Sequence, residues 1–328
     1  MLDGFGRKID YLRISVTDRC NFRCQYCMSE NMTFMPKSEL LTLEEITLIA
    51  ERFIGHGVKK IRLTGGEPLV RRDMSDVIQR LGRKVNSGEL EELTLTTNGS
   101  LLSEYADHLA AHHVRRINVS MDTLDPDKFS EITRGASVEQ VLVGIAAAKE
   151  AGIKVKINMV ALRGFNQESL MPMAEYCATQ GHDLTVIETM PLGDVGADRK
   201  LEHIPAEEFI APLSDNYELR SIAHKSAGPA RYMSVEPLGL RLGLITPLSN
   251  NFCDNCNRLR LTTDGKIFMC LGHNAHVDLR AAVRNEGIEA VDRLLQKALK
   301  LKPLRHEFNA QLDGSAEILE RHMNVTGG

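Results

Sequence analysis

Residues 11–27 read YLRISVTDRCNFRCQYC, a strand-like run followed closely by three cysteines, Cys20, Cys24 and Cys27. A lone triplet with no nearby histidine does not match the paired ligands of a structural zinc site. Three thiols also leave one over in any disulfide pairing. Three thiolates suit a cubane iron–sulfur cluster, which four cysteines normally hold, so the missing fourth ligand would leave one iron open. The spacing favours a cluster with an open, catalytic metal position; a partial zinc site or surface thiols are the alternatives.

Short β-rich runs alternate with amphipathic helices from residue 10 to about residue 190. The predicted strands are YLRISV from Tyr11, KKIRLT from Lys59, ELTLTT from Glu92, RRINVS from Arg115, IKVKINMV from Ile153 and LTVIETM from Leu184. This alternation predicts parallel strands joined by crossover helices. Because six strands are too few for the usual eight-stranded barrel, we predict an α/β fold with a partial (β/α)6 TIM-type barrel.

The regular alternation fades after about residue 200. There the chain contains two short β-like runs, ARYMSV and LRLGLIT, a second group of cysteines, and a helical stretch from about Leu279 to Lys302. We interpret this part as a smaller C-terminal domain that closes the open side of the barrel. The predicted domains are residues 1–220 and 221–328.

Composition excludes several classes of protein. The 328 residues carry a net charge of −4, and their basic residues form no long run, so we expect no nucleic-acid binding. No apolar stretch of about 18 residues and no signal-peptide core occurs, so we expect no membrane and a cytoplasmic location. Seven cysteines in a reducing compartment then indicate metal binding or catalysis. Cys177, on an apolar helix face, is predicted to be a buried core thiol.

The second cysteine group is Cys253, Cys256 and Cys270. His273 follows three residues after Cys270, so the spacing fits a Cys₃His zinc ribbon, with a second iron–sulfur cluster as the alternative. Arg258 and Arg260 alternate on a predicted strand and therefore share one face. Paired guanidinium groups suit a phosphate or a carboxylate. The alternative is a strand face that is exposed to solvent and binds no ligand.

Polar residues also follow or occupy the predicted barrel strands. The two glycines of TGGEP, residues 64–68, would let a ligand approach the backbone closely, and Glu67 could accept a hydrogen bond from a ligand amine; a plain tight turn is the alternative. If the basic strand residues converge, they form a cationic pocket for a polyanionic small molecule such as a nucleoside triphosphate. These residues are Arg13, Arg62, Lys156, Arg258 and Arg260.

The cysteine spacing Cys-x₃-Cys-x₂-Cys, with Tyr26 before the last cysteine and TGGEP further on, resembles the radical S-adenosylmethionine (SAM) superfamily. Within it, the chain resembles the GTP 3′,8-cyclase family of molybdenum cofactor biosynthesis over nearly its whole length. The segments that carry this resemblance are SVTDRCNFRCQYCM, KKIRLTGGEPL, LTTNG, RRINVSMD, FCDNCNRLRLTTDGK and the terminal pair Gly327-Gly328.

The resemblance implies two [4Fe–4S] clusters and SAM as cofactors. Cys20, Cys24 and Cys27 would hold the radical-generating, catalytic cluster, and the second cysteine group would hold a cluster facing the purine, which makes His273 a bystander. The implied SAM-site residues are Tyr26, Gly66, Ser120 and Met190. The implied GTP contacts are Arg13, Arg62, Thr96, Lys156, Arg258, Leu259 and Arg260. The tail, Gly327 and Gly328, would reach into the active site.

The implied reaction cyclises GTP to (8S)-3′,8-cyclo-7,8-dihydroguanosine 5′-triphosphate, through a 5′-deoxyadenosyl radical that abstracts the ribose H3′. The implied partners are GTP as substrate, a reduced flavodoxin- or ferredoxin-type electron donor, a downstream cyclic pyranopterin monophosphate synthase, and a second copy of the chain in a homodimer. One departure stands out, because many members carry an arginine where this chain has Thr185. Either another cation such as Arg199 substitutes, or triphosphate binding differs locally.

Overall fold

The computed structural model describes residues 1–193, 202–224, 226, 228–313, 319 and 321–327. Two residues singled out above, Arg199 and Gly328, lie outside this part of the chain. The described strands are β1 Tyr11–Ser15, β2 Lys60–Thr64, β3 Glu92–Thr97, β4 Arg116–Ser120, β5 Lys154–Ala161, β6 Asp183–Glu188, β7 Glu218–Ser221, β8 Arg231–Glu236, β9 Leu240–Ile245, β10 Arg258–Leu261, β11 Lys266–Phe268 and β12 His276–Asp278.

The described α-helices surround these strands or follow them along the chain. They are α1 Leu43–Gly55, α2 Met74–Asn86, α3 Leu102–Ala111, α4 Pro126–Thr133, α5 Val138–Glu150, α6 Leu170–Gln180, α7 Ala206–Phe209, α8 Ala211–Asn216, α9 Leu279–Glu286, α10 Ala290–Leu301, α11 Phe308–Asp313 and α12 Met323–Thr326. None of the helices in the described ranges is long and apolar enough to cross a bilayer.

The strands form one sheet in the order β12-β11-β10-β1-β2-β3-β4-β5-β6-β9-β8-β7. All neighbours from β10 through β1–β6 to β9 pair in parallel, and the outer strands at both edges are antiparallel. The predicted α/β fold with a partial TIM-type barrel is therefore confirmed. The six predicted barrel strands are β1–β6, and two strands from the C-terminal part extend the parallel run by one strand at each edge.

Local sequence signals set the helix boundaries. At α1, Thr42 Oγ1 accepts from the Glu45 amide (3.1 Å) and Glu45 Oε2 accepts from the Thr42 amide (2.7 Å), which forms a capping box. At α4, Asp125 caps the helix ahead of Pro126. The predicted helical stretch after Leu279 is two helices, α9 and α10, because Gly287 (φ +91°) interrupts it.

The aliphatic core lies between the sheet and the outer helices, where residues such as Leu12, Ile14 and Ile61 are fully buried. The opposite face of the parallel strands carries polar side chains, including Arg13, Arg62, Thr96, Asn118 and Lys156. A full TIM barrel fills this interior with bulky aliphatic side chains. The polar interior of this barrel instead leaves a cavity that is lined for a polar ligand.

The C-terminal part is joined to the barrel through backbone hydrogen bonds. Strand β9 pairs with β6, and β10 pairs with β1, so residues from beyond 220 complete the parallel sheet. The predicted domain boundary after residue 220 falls within β7. The division of the chain into two domains stays a prediction.

Candidate active site

One cavity of about 280 Å³ occupies the barrel interior. Both cysteine groups line it, together with most of the other predicted site residues. The predicted site residues that line it are Cys20, Cys24, Cys27, Cys253, Cys256, Cys270, Tyr26, Gly66, Ser120, Met190, Arg13, Arg62, Thr96, Lys156, Arg258 and Arg260. The fold thus brings together groups that lie up to 257 positions apart in the sequence.

The strand register places the two cysteine groups at opposite ends of β1. The first group follows β1, whereas Cys256 precedes β10, whose first residue, Arg258, pairs with Tyr11 at the start of β1. Cys270 follows β11, which runs antiparallel to β10 and so returns to the same end. Four residue steps along β1 correspond to roughly 13 Å. Two separate metal centres therefore have room between them for a substrate.

Backbone hydrogen bonds anchor the first cysteine loop, residues 17–28, to the end of α4. The Arg23 amide donates to the Thr133 carbonyl (3.1 Å), and the Gln25 amide donates to the Ile132 carbonyl (2.9 Å). Arg134 donates to the carbonyls of Arg23 and Met28 from the outside. These contacts hold the loop in place without using any thiol.

Gly65 and Gly66 are required by the cysteine loop itself. A Cβ added at Gly66 would lie 2.3 Å from the Arg19 carbonyl oxygen, and one at Gly65 would lie 2.5 Å from the Thr17 carbonyl oxygen. The Gly66 amide donates to the Thr17 carbonyl (2.8 Å), and the Glu67 amide donates to the Arg19 carbonyl (2.9 Å). The close approach predicted for a ligand at these glycines is already made by the backbone that carries Cys20.

Glu67 does not line the cavity, so the expectation that it binds a ligand amine is wrong. Its fully buried carboxylate accepts from Thr97 Oγ1 (2.9 Å) and from the amides of Leu69 (3.0 Å) and Asn98 (2.6 Å). Burial raises the pKa of Glu67 to about 7, against the lowering effect of these hydrogen bonds. The carboxylate instead joins the ends of β2 and β3, next to Cys20.

Asp122 holds Tyr26 in place. The Tyr26 hydroxyl donates to Asp122 Oδ2 (2.7 Å), and Oδ1 accepts from the Val160 amide (2.8 Å). Burial raises the pKa of Asp122 to about 6. The sequence around Asp122 does not reveal this role, because its contacts lie at residues 26 and 160 of the chain.

Glu188 ties the end of β6 to the C-terminal part. Its carboxylate accepts from the Ala206 amide (3.0 Å) and from the amides of Leu248 (3.1 Å) and Ser249 (3.2 Å). The Ser249 hydroxyl is a further donor. Met190 follows two residues later and lines the cavity, so this carboxylate positions the segment that carries Met190 against the loop leading to Cys253.

Three arginines lie side by side across neighbouring strands. Arg13 pairs in register with Arg260 on β10 and with Arg62 on β2. Burial, reinforced by repulsion from Arg260, lowers the pKa of Arg13, and burial with repulsion from Arg258 lowers that of Arg260 to about 10. The buried Arg62 Nε has no hydrogen-bond partner within the described part of the chain. A row of buried guanidiniums with an unused donor fits an anionic ligand.

Lys156 lines the same cavity as these arginines. Its Nζ lies 3.0 Å from the Tyr232 hydroxyl, which donates to Ser226 Oγ (2.9 Å). Burial, with repulsion from Arg62, lowers the pKa of Lys156 to about 7. Sequence analysis missed Tyr232, whose partner lies 76 residues earlier.

Thr185 does not line the cavity. Its hydroxyl is buried and has no partner among the described residues, and it faces Gly243, where an added Cβ would meet both Thr185 Oγ1 and the Tyr232 ring. Whether Arg199 compensates lies outside the described residues.

Two further predicted contacts differ from the rest. Leu259 points away from the cavity into the hydrophobic core between Arg258 and Arg260, so its side chain cannot touch a ligand there and only its backbone could. Gly327 reaches the arginine row, where its carbonyl accepts from Arg260 Nη1 (2.9 Å). It has φ +77°, and an added Cβ would lie 1.8 Å from Thr64 Oγ1, so this position admits only glycine.

The second cysteine group has a cationic surrounding. Burial by itself raises the pKa of Cys256, but Arg258 and Lys302 outweigh it and lower the pKa to about 7. Lys302 Nζ lies 3.5 Å from Cys256 Sγ. Around the first group, the Phe22 amide (3.3 Å) donates to Cys20 Sγ. Such donors to sulfur are what ligating thiolates accept.

The donor sets fit iron–sulfur clusters better than zinc. All seven cysteines are free of disulfides. Across the described ranges, no three His, Cys, Asp or Glu side chains converge on a position for one ion, as a Cys₃His zinc site requires. His273 is absent from the cavity lining and its Nε2 lies 2.7 Å from the Arg305 carbonyl oxygen. In a cubane each thiolate binds a separate iron, which suits thiols that are near one another without converging.

Comparison with known proteins supports this interpretation. The Radical SAM superfamily model matches residues 14–177, and the Molybdenum Cofactor Synthesis C model matches residues 182–308. Two proteins named GTP 3′,8-cyclase, from Rhizobium etli (strain CIAT 652) and Mesorhizobium japonicum, are each 51% identical to the chain over 329 aligned residues, with 100% of the chain covered. The alignments cover 94% and 99% of those proteins.

A solved structure shares the fold. Streptococcus suis SuiB bound to S-adenosylmethionine superposes with a TM-score of 0.63 at 16% identity, over 90% of this chain and 68% of that one. At this identity the likeness concerns the fold alone. The two family models and the full-length relatives place the chain in the radical SAM superfamily and, within that superfamily, in the GTP 3′,8-cyclase family.

Proposed function

We propose that this protein is a radical SAM enzyme that converts GTP to (8S)-3′,8-cyclo-7,8-dihydroguanosine 5′-triphosphate, the first step of molybdenum cofactor biosynthesis. The observation that carries the proposal is a single cavity with a cysteine triplet at each end of β1 and buried cations between them. The names of the full-length relatives support the same reaction.

In this proposal Cys20, Cys24 and Cys27 hold one [4Fe–4S] cluster and Cys253, Cys256 and Cys270 hold the other. When bound, SAM and the first cluster would supply the radical chemistry that abstracts the ribose H3′ of GTP. The protein's contribution is to orient two ligands and to keep water from the reacting atoms. The anchored cysteine loop and the Glu67 contacts provide a rigid base for the first cluster.

Tyr26, Gly66, Ser120 and Met190 are the proposed SAM-site residues. Tyr26 is fixed by Asp122, and Met190 sits beyond the Glu188 contacts, so both side chains enter the cavity from restrained backbone. Gly66 contributes mainly because it has no side chain, which leaves room for the backbone of the cysteine loop. The positions of Tyr26 and Met190 in this proposal therefore depend on Asp122 and Glu188.

Arg13, Arg62, Thr96, Lys156, Arg258 and Arg260 are the proposed GTP contacts, with Leu259 restricted to its backbone. Their charges are confined to the cavity, so a triphosphate is attracted to the site although the chain as a whole is acidic. Bidentate guanidinium contacts also orient phosphate oxygens. The Gly327 carbonyl, now on Arg260, would give way to or lie beside the substrate, and Gly328 would follow it.

Four further elements belong to the same proposal. The cubanes would be reduced by a flavodoxin- or ferredoxin-type donor, and the product would pass to a cyclic pyranopterin monophosphate synthase. A homodimer and a cytoplasmic location complete it; the latter is supported by seven cysteines that form no disulfide.

An anaerobic assay with SAM, a reductant and GTP tests the function. We expect about eight irons per chain, formation of 5′-deoxyadenosine that depends on GTP, and loss of that product in Cys20→Ala. Cys177→Ala is the matched control, because Cys177 is buried in the core away from the cavity. Equal yields with GTP and ATP, or zinc in place of iron, would contradict the proposal.

A further inference from the structure

Lys302 is a buried cation that the proposed reaction does not use. It caps the C-terminal end of α10 with 2% of its surface exposed. Its ammonium lies within hydrogen-bond distance of the Met269 carbonyl (2.6 Å), the Arg258 carbonyl (2.9 Å) and Cys256 Sγ (3.5 Å). All three donors of the ammonium are therefore directed at acceptors around the second cysteine group.

These acceptors belong to the two segments that carry the cysteines. Arg258 lies two residues after Cys256, and Met269 immediately precedes Cys270. One ammonium group thus bridges both segments across the β10–β11 pair. The bridge restrains the spacing of the segments that carry Cys256 and Cys270.

The charge of Lys302 has no carboxylate partner among the described ion pairs. Burial lowers the pKa of Lys302, whereas Cys256 and Cys270 favour its ammonium and Arg7 opposes it. A buried charge is retained in proteins where a counter-charge compensates its loss of hydration. For Lys302 that counter-charge can come only from thiolates and whatever they bind, as far as the described residues show.

We propose that Lys302 is a positioning residue for the C-terminal cluster: it spaces Cys256 and Cys270, donates to Cys256 Sγ, and raises the cluster's reduction potential. The inference rests on the proposed function, in which these cysteines hold a [4Fe–4S] cluster. Reduction adds one negative charge to a cluster, so a fixed cation and a hydrogen bond to a ligand sulfur favour the reduced state.

The test uses a full-length background in which Cys20, Cys24 and Cys27 are all replaced by alanine, so that only the C-terminal cluster forms. In it we compare Lys302→Gln, which keeps donors but loses the charge, with Lys302→Arg, which keeps the charge. Lys300→Gln is the matched control, because it removes the same charge from an exposed position on the same helix. Iron per chain and the midpoint potential, from an EPR-monitored redox titration, are the readouts.

We expect Lys302→Gln to lower the reduction equilibrium constant about tenfold, a shift of about 59 mV to more negative potential for a one-electron couple. Lys302→Arg and Lys300→Gln should stay near the background value. A Gln variant with full iron and an unchanged potential would overturn the proposal. If the Lys302→Gln variant binds too little iron to titrate, the Lys302→Arg variant decides. Iron content and midpoint potential equal to those of the background protein would support the role of the positive charge. Lost iron or a shifted potential in Lys302→Arg would refute it. A background protein without iron would refute the proposed function itself.

Discussion

Replacing Gly66 by alanine tests whether this glycine serves the cysteine loop. The backbone at Gly66 is outside the positive-φ region, so alanine suffers no conformational penalty and only the contact matters. The new Cβ would lie 2.3 Å from the Arg19 carbonyl oxygen, where real Cβ atoms keep at least 3.0 Å, so the loop has to move by roughly 0.7 Å. Arg19 is bonded directly to Cys20, which must move with it.

The cost follows from that displacement. Forcing an extra methyl group into packed backbone costs about 1–3 kcal/mol. The hydrogen bonds from the Gly66 amide (2.8 Å) and the Glu67 amide (2.9 Å) are weakened at the same time, at about 1 kcal/mol each. We expect a loss of about 3–5 kcal/mol in the free energy of unfolding. Since a 1 Å error in a catalytic group costs about 10²-fold in rate, SAM cleavage should fall by about that factor.

Three measurements check this: thermal unfolding, 5′-deoxyadenosine yield, and iron bound by the first cysteine group in a background lacking Cys253, Cys256 and Cys270. Gly55→Ala is the matched control, since nothing lies within 4 Å of its added Cβ and alanine favours a helix. The reasoning is refuted by a Gly66→Ala protein that binds normal iron in the first site and cleaves SAM at the wild-type rate, even if its SAM affinity changes.

Three further outcomes are expected. Arg260→Ala should weaken GTP binding by about 10- to 100-fold, the loss of a charge-assisted contact, while SAM binding measured by calorimetry survives; loss of both would mark a folding residue. GTP affinity should decline as pH rises above about 7, because the pKa of Lys156 lies near 7 and the neutral amine attracts no phosphate. Lys156→Arg should flatten that decline. The same dependence of GTP affinity on pH in the wild-type and variant proteins would show that Lys156 does not cause it. Burial holds the pKa of Asp122 at about 6, above its unfolded value of 3.8. The contribution of Asp122 to the free energy of unfolding is therefore complete below about pH 4 and is lost as the pH rises to about 6. Asp122→Asn should remove this pH dependence from the denaturation profile, and an unchanged profile would show that other groups cause it.

The barrel strands were predicted well from the sequence, because the pattern that marks each strand depends only on residues close to one another in the chain. The capping pair at Thr42 and the proline after Asp125 also act within one helical turn, and both are readable from the local sequence. The cationic cavity was also predictable, since alternation along a strand puts Arg258 and Arg260 on one face. The same rule could have excluded the Leu259 side chain, which alternation sends to the core.

Roles that depend on distant partners were not predictable. The TGGEP motif suggested that the Glu67 carboxylate binds a ligand, yet it accepts hydrogen bonds from Leu69, Thr97 and Asn98. Lys302 reads as one more lysine at the end of a helix, and only the pairing of β10 with β11 brings both cysteine segments to it. His273 has zinc-ligand spacing, but spacing does not determine where a ring points.

The sheet order determines how the molecule can be divided. Strands β10 and β9 cover the outer edges of β1 and β6, so a chain cut after residue 220 would expose both edges of a parallel sheet at once. Unpaired edges of that kind recruit other chains and lead to aggregation. The C-terminal segment therefore covers both edges of the sheet formed by β1–β6, and we expect neither half of the chain to be stable on its own.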